Sequence, residues 1–129
     1  MSGTTANLVN DTVQIDNGLD SIVVVKDLAD IPGGATLDCS DDSLSDLKVI
    51  KAGHVIIKTN EGVYKPMPIS GTGYGSKGGS DVFVGILKKS VLKDKPFAAI
   101  MTMGQMNKAC SPYTLTSTEM NGLPNIQFI

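Results

Sequence analysis

The sequence predicts a mainly β fold: a compact, single-domain β-sandwich or barrel-like structure with one or two short helices and an extended N-terminal arm. Three observations lead to this prediction. The 14 glycines and 6 prolines are typical of many short elements joined by turns. The apolar runs are short and rich in β-branched residues. The chain of 129 residues fits one domain, and with 5% aromatics and no tryptophan its core must be mainly aliphatic.

The N-terminal residues divide into an arm and a first pair of strands. Residues 1–11 are mostly small and polar, which predicts an arm that is flexible until a partner holds it. The β-branched runs Thr12–Ile15 and Ile22–Val25 predict strands, and Asn17-Gly18 between them is a turn signal. We therefore expect an arm over residues 1–11 and a single β-rich domain over residues 12–129.

The next segment alternates turns and short strands. Ile31-Pro32-Gly33-Gly34 predicts a turn, because Pro32 presets φ and the glycines permit positive φ. Ala35–Cys39 is a candidate short strand. Ser40–Asp46 fits either a single helical turn capped by Ser40 or a loop, and the sequence leaves both open.

A hairpin and a glycine-rich loop are predicted in the middle of the chain. His54–Lys58 and Val63–Tyr64 flank the turn Asn60-Glu61-Gly62, and the pair should end near Pro66 because proline cannot donate to a strand ladder. Residues 70–80 are rich in glycine and predict a mobile loop.

The C-terminal third carries the strongest strand signals. Val82–Leu87 and Phe97–Met101 are nearly continuous apolar runs, and we expect them to be the two most buried strands. Thr116-Ser117-Thr118-Glu119 matches a capping box, and one or two helical turns should follow. Asn125–Ile129 predicts a closing apolar strand.

Charge and targeting signals argue against several classes of partner. The net charge is −2 and the basic residues are all lysines interleaved with aspartates, so nucleic acid is not expected as a partner. No apolar run approaches the ~20 residues of a membrane span, and the N-terminus lacks the features of a signal peptide. Cys39 and Cys110 are expected to be free thiols.

The search for catalytic and ligand-binding groups predicts no enzyme, no cofactor and no metal. His54, the one histidine, is expected to be a strand-end residue that touches solvent, and pairing with Cys39 or Cys110 is disfavoured. Gly73–Gly78 matches the G-x-G-x-x-G pattern, but a strand rather than a helix follows it, so it predicts a loop and not a dinucleotide site. Tyr74 is a candidate contact residue at the tip of this loop. Four nearby carboxylates predict a solvated acidic turn rather than a calcium site; they are Asp38, Asp41, Asp42 and Asp46.

The order of several short motifs resembles the head-decoration proteins of tailed bacteriophages and the related head-fibre proteins. Each motif is weak alone, and the order and spacing of the set carry the resemblance. The matching segments are Ile50–Ile57, Gly62–Pro68, Val82–Leu87, Pro96–Met101, Gly104–Asn107 and Leu123–Ile129. The stretch Ile31–Asp38 fits the head-fibre subgroup, whereas Lys108–Pro112 departs from the family's small, alanine-rich segment.

The resemblance implies a virion structural protein made in the host cytoplasm and placed on the outer face of the capsid. It implies a homotrimer bound to the major capsid protein, with a further fibre protein or the host surface as additional partners. It also implies that the arm docks on the capsid, through Thr4, Thr5, Ala6, Asn7, Leu8 and Val9. The alternative is a small β-rich module that binds a ligand or glycan on the virion surface.

Overall fold

The computed structural model describes residues 23–129, and these residues form a mainly β structure with one α-helix. The strands are β1 (Val24–Asp30), β2 (Ala35–Thr36), β3 (Val49–Ile50), β4 (Val55–Lys58), β5 (Tyr64–Pro66), β6 (Ile69–Ser70), β7 (Gly73–Tyr74), β8 (Val82–Leu87), β9 (Val91–Leu92), β10 (Phe97–Ala98), β11 (Ile100–Met106) and β12 (Ile126–Phe128). The helix α1 spans Ser117–Gly122, and 3₁₀ turns span Asp42–Leu44 and Lys108–Cys110.

A central sheet organises the fold. Its strand order is β1-β11-β8-β4-β5, with antiparallel neighbours throughout. The first residues of β11 pair with β8, and its last residues pair with β12 in parallel. β1 lies along the other side of β11, so it forms one edge of the sheet, and β5 forms the opposite edge. Three two-stranded ribbons flank this sheet: β2–β10, β3–β9 and β6–β7.

The central sheet separates two cores, because successive residues of its inner strands enter opposite sides. The helix-side core consists of Val23, Ala52, Val55, Ile57, Met67, Ile86, Met101, Met106, Leu123 and Ile126. The ribbon-side core consists of Leu37, Cys39, Ile50, Ile56, Leu87, Ala98 and Ile100. Side chains alternate across a strand, and a strand buried on both faces reads as a continuous apolar run. This is why Val55-Ile56-Ile57 and Gly85-Ile86-Leu87 show no polar alternation.

The fold class and several elements predicted from the sequence are confirmed. The chain is mainly β, and the β4–β5 hairpin turns at Gly62, whose φ is +88°. The capping box precedes α1: the Glu119 carboxylate accepts hydrogen bonds from the Thr116 N–H at 2.9 Å and from its hydroxyl at 3.0 Å. The closing strand is β12. Residues 40–46 contain a 3₁₀ turn, and its cap is Asp41 rather than Ser40.

Three predicted elements are wrong in extent. Phe97–Met101 is not one buried strand, because Phe97–Ala98 pairs with β2 and the chain then enters β11 at Ile100. The strand proposed over Ala35–Cys39 is limited to β2. Residues 70–80 are not simply a loop, since their first part completes the β6–β7 ribbon. The arm over residues 1–11, the strand Thr12–Ile15 and the start of Ile22–Val25 lie outside the described residues.

Candidate functional site

The edge strand β1 presents apolar side chains to solvent. Val25 is 51% exposed and Leu28 is 58% exposed, and Met103 on the adjacent β11 is also exposed. We call these three residues the β1-edge surface. The pairing of β1 with β11 contains three register shifts, and Lys26 and Asp27 add charge. Bulges and charges protect an edge from pairing with another strand, so the β1-edge surface is suited to side-chain contacts rather than to strand addition.

A second apolar feature lies on the β2–β10 ribbon. Phe97 is 72% exposed, although large aromatic side chains normally bury most of their surface. It borders a shallow groove of about 500 Å³ whose other walls are small residues: Gly33, Gly34, Ala35, Thr36, Ala98 and Ala99. We call this the Phe97 groove. An exposed aromatic side chain beside a groove of small residues is typical of a surface that anchors a protein–protein contact.

A charged cluster braces β1 from the end of β8. The Lys88 ammonium forms ion pairs with Asp27 and, at 2.7 Å, with Asp30. Hydrogen bonds that the Lys88 ammonium donates to Asp27 and Asp30 raise its pKa, so the lysine is charged at neutral pH. The cluster ties the edge strand to β8 across β11.

The prediction for His54 is wrong, because the side chain is fully buried. Its Nε2–H donates to the Met67 carbonyl at 2.8 Å, and its Nδ1 has no hydrogen-bond partner within residues 23–129. The rings of Tyr74 and Tyr113 each make a T-shaped contact with the imidazole, with a centroid distance of 5.3 Å. Burial lowers the pKa of His54 to about 4, so the ring is neutral at neutral pH.

Tyr74 does not lie at a loop tip either. Its hydroxyl accepts a hydrogen bond from the Val55 N–H at 3.0 Å, and its ring packs against the helix-side core. Burial raises the pKa of Tyr74. A tyrosine placed in this way satisfies the first N–H of β4, and little of its surface is left for contact with a partner. The prediction that Tyr74 lies at the tip of a loop is therefore wrong.

A polar groove of about 610 Å³ lies on the outer side of Tyr74. Lys77, Phe83, Thr118 and Glu119 contribute to its walls. The Lys77 ammonium lies 5.6 Å from the centre of the Phe83 ring, an arrangement in which the ring attracts the cation. Glu119 is buried, and its carboxylate is engaged with Thr116 at the start of α1.

The other sequence-predicted candidates are dispersed. The Asp38 carboxylate accepts from the Ser40 N–H, and Asp41 caps the 3₁₀ turn through Ser43; these hydrogen bonds lower the pKa of both carboxyl groups. Cys39 and Cys110 are free thiols, and burial raises the pKa of Cys39. Within residues 23–129, no three histidine, cysteine, aspartate or glutamate side chains are close enough to hold a metal ion.

The capsid-contact residues proposed from the resemblance lie outside the described part of the chain; they are Thr4, Thr5, Ala6, Asn7, Leu8 and Val9. The chain enters the described part at Val23, directly before β1. Sequence reasoning missed the β1-edge surface and the Phe97 groove. The sequence does contain a signal for the exposed Phe97. The polar segment before Phe97–Met101 and the small residues Ala98-Ala99 within it are compatible with a two-stranded ribbon in which one large side chain faces solvent.

Over residues 23–129, no helix is both long enough and apolar enough to cross a membrane. The chain matches no protein-family model, no curated protein and no solved structure.

Proposed function

We propose that this protein is a structural component of a tailed-phage virion that assembles as a homotrimer on the outer face of the capsid. The observation that carries the proposal is the ordered series of motifs from Ile50 to Ile129, which resembles head-decoration and head-fibre proteins. The mainly β fold agrees with the fold that this resemblance implies. The proposed partner of the arm residues 4–9 is the major capsid protein.

The exposed apolar residues support self-association. A ring of three subunits needs two different patches on each chain, because every subunit contacts its neighbours head to tail. The β1-edge surface and the Phe97 groove are two such patches on the described residues. Packing the exposed Phe97 ring of one chain against the exposed Val25 and Leu28 of the next would supply contact energy without strand addition. A trimer also gives three copies of the arm, and multivalent attachment strengthens binding to a repetitive lattice.

Light scattering and capsid sedimentation test the two parts of the proposal separately. We expect the full chain to elute at three times the 13.5 kDa mass of one chain and to sediment with expanded capsids of its phage. F97S should weaken the trimer, whereas V63S, a similar change at an exposed residue near the β5 edge, should not. A deletion of residues 1–11 should keep the trimer and lose capsid binding. A monomer that does not bind capsids would refute the proposal.

A second candidate function is binding of a small hydroxylated ligand such as a sugar. The specific observation is the groove beside Tyr74, which combines a lysine, an aromatic ring and the threonine hydroxyl of Thr118 in a volume suited to one or two sugar rings. A glycan array with the full chain tests it, with K77A and T118A as variants. Binding that neither variant weakens would place the ligand elsewhere, and no binding would remove this candidate.

A further inference from the structure

The buried histidine cluster joins three separate segments of the chain. His54 lies at the start of β4, Tyr74 lies on β7, and Tyr113 lies in residues 108–115. The two tyrosine rings also contact each other, with a centroid distance of 5.6 Å. Backbone contacts add to this connection, since the Thr114 N–H donates to the Thr72 carbonyl at 2.9 Å. The β6–β7 ribbon and residues 108–115 therefore cover the histidine together.

The cover fits closely over the turn that precedes β4. Gly53 has a φ of +91°, and an added Cβ would lie 2.9 Å from Val23 and 3.1 Å from both Met106 and Pro112. Pro112 thus packs directly on the backbone beside His54. Residues 108–115 are held by short-range bonds, such as the Ser111 hydroxyl to the Tyr113 carbonyl at 2.6 Å, and by the Lys108 N–H, which donates to the Ile129 carbonyl at 3.2 Å beyond the end of β12. These bonds do not join the segment to β4 or β8, so it can separate from the sheet while those strands stay paired.

The hydrogen bonding of His54 makes this closed arrangement compatible with only the neutral ring. A protonated imidazole carries an N–H on both nitrogens, and each needs an acceptor. Nε2–H has the Met67 carbonyl, but Nδ1 has no partner among the described residues. Burying an unpaired charge is costly, so the closed cluster favours the neutral form.

The charged groups around the cluster do not compensate for a proton on His54. Lys77 and Glu119 lie on the groove beyond Tyr74, and Lys108 lies on the groove beyond Tyr113. Lys51 precedes the turn and is exposed. In the described chain none of these groups forms an ion pair with His54. The carboxylate of Glu119 acts electrostatically on Tyr74, and it is engaged by Thr116.

We propose that His54, Tyr74 and Tyr113 form an acid-released latch, in which protonation of His54 detaches residues 108–115 and the β6–β7 ribbon from the sheet while β4, β8 and β11 stay paired. Release exposes Tyr74 and Tyr113 and merges the two grooves that they border. The latch is independent of the proposed virion role, because it rests only on contacts within one chain.

Nuclear magnetic resonance of the full chain tests the latch directly, since His54 is the one histidine and gives a single titrating imidazole signal. We expect His54 to titrate near pH 4. Hydrogen exchange should show residues 108–115 losing protection over the same pH range, while Val55–Lys58 remain protected. Titration near the ordinary value of 6.5, or loss of both regions at one pH, would overturn the proposal.

Three variants separate the latch from a general loss of stability. Y113A removes one covering ring and should move the His54 titration upward by at least one pH unit. Y64A removes a ring packed on the ribbon-side core and should leave the titration unchanged. H54Q keeps a donor for the Met67 carbonyl but does not titrate, so residues 108–115 should stay protected through pH 4. If H54Q opens at the same pH as the unmodified chain, the proposal is wrong.

Discussion

The two cores on either side of the central sheet are built differently. The ribbon-side core is covered by the β2–β10 and β3–β9 ribbons, and its buried members are aliphatic residues and Cys39. The helix-side core is covered by α1, by β6–β7 and by residues 108–115, and it adjoins the buried polar residues His54 and Glu119. The strands between them are shared, because neighbouring residues such as Ile56 and Ile57 enter opposite cores.

The difference follows from what covers each face. The β2–β10 and β3–β9 ribbons pair their strands with each other and present apolar side chains to the sheet. Irregular segments and a short helix bring backbone groups that need other partners. Glu119 meets this need at the start of α1, where it accepts from the Thr116 N–H. We therefore expect the helix-side core to respond to pH and to loss of hydrogen bonds, and the ribbon-side core to respond mainly to loss of volume.

The largest loss of stability should come from a substitution that disturbs both cores at once. An added Cβ at Gly85 would lie 2.0 Å from the Met101 carbonyl oxygen, which belongs to the backbone of β11 and cannot move aside. G85A should therefore destabilise the chain by more than about 4 kcal/mol or prevent folding. Urea unfolding gives the comparison with G79A, where an added Cβ meets no atom within 4 Å. Equal stability of the two variants would contradict this interpretation of the β8–β11 approach.

Adjacent substitutions in β4 compare the two cores directly. Ile56 and Ile57 are both fully buried, so I56A and I57A should each lower the free energy of unfolding by about 2–5 kcal/mol. Only I57A removes volume from the core that adjoins His54. The His54 imidazole titration should therefore move upward in I57A and stay in place in I56A. A similar shift in both variants would show that the two cores do not respond separately.

Acid should weaken the protein through the helix-side core. An unfolded histidine binds a proton as the pH falls through 6.5, but folded His54 does so only near pH 4. Stability is therefore lost as the pH falls from 6.5 to 4, by on the order of 3 kcal/mol. The lowered pKa values of Asp38 and Asp41 act below this window. Urea unfolding at pH 7 and pH 4.5 should show the loss in the unmodified chain and not in H54Q; parallel losses would assign it to other groups.

The sequence was most informative where the structure depends on neighbours along the chain. The capping box before α1 and the turn at Gly62 are local signals, and both are present. The apolar run Val82–Leu87 predicted a strand, and β8 is that strand, but only its second half is buried, so the expectation that it is one of the two most buried strands is wrong. The closing strand was predicted over Asn125–Ile129 from a short apolar run after a stop signal, and β12 occupies Ile126–Phe128 within it.

Sequence reasoning failed where the cover comes from a distant part of the chain. His54 follows a glycine turn at the start of a strand, and a histidine there is ordinarily solvent-exposed. Tyr113, which covers it, lies 59 positions later in the sequence. The prediction for Phe97 is wrong in the opposite sense. Its apolar neighbours predicted burial, but its pairing with β2 leaves the side chain exposed to solvent. Neither the packing of Tyr113 on His54 nor the pairing of Phe97 with β2 follows from a local sequence pattern, so both depend on tertiary structure.

A smaller loss of stability is expected from a substitution at the start of α1. Glu119 accepts from both the N–H and the hydroxyl of Thr116, and α1 covers part of the helix-side core. E119A should lower the free energy of unfolding by about 1–2 kcal/mol, the usual cost of losing a helix cap. E61A is the matched control, because Glu61 lies exposed in the β4–β5 turn and should change stability by less than about 0.5 kcal/mol. Equal losses would show that the capping box is not stabilising.

The smallest effect should come from the charged cluster on β1, which adds to neither core. Lys88 bridges Asp27 and Asp30, but the groups are partly exposed and water screens their attraction. K88M should therefore cost less than about 1 kcal/mol, and the difference from the unmodified chain should shrink as salt is raised toward 1 M. K89M, at an exposed neighbouring lysine, should show no such salt dependence. A larger loss at K88M that salt does not reduce would mean that Lys88 holds β1 by packing of its stem, and that the edge strand depends on the core rather than on charge.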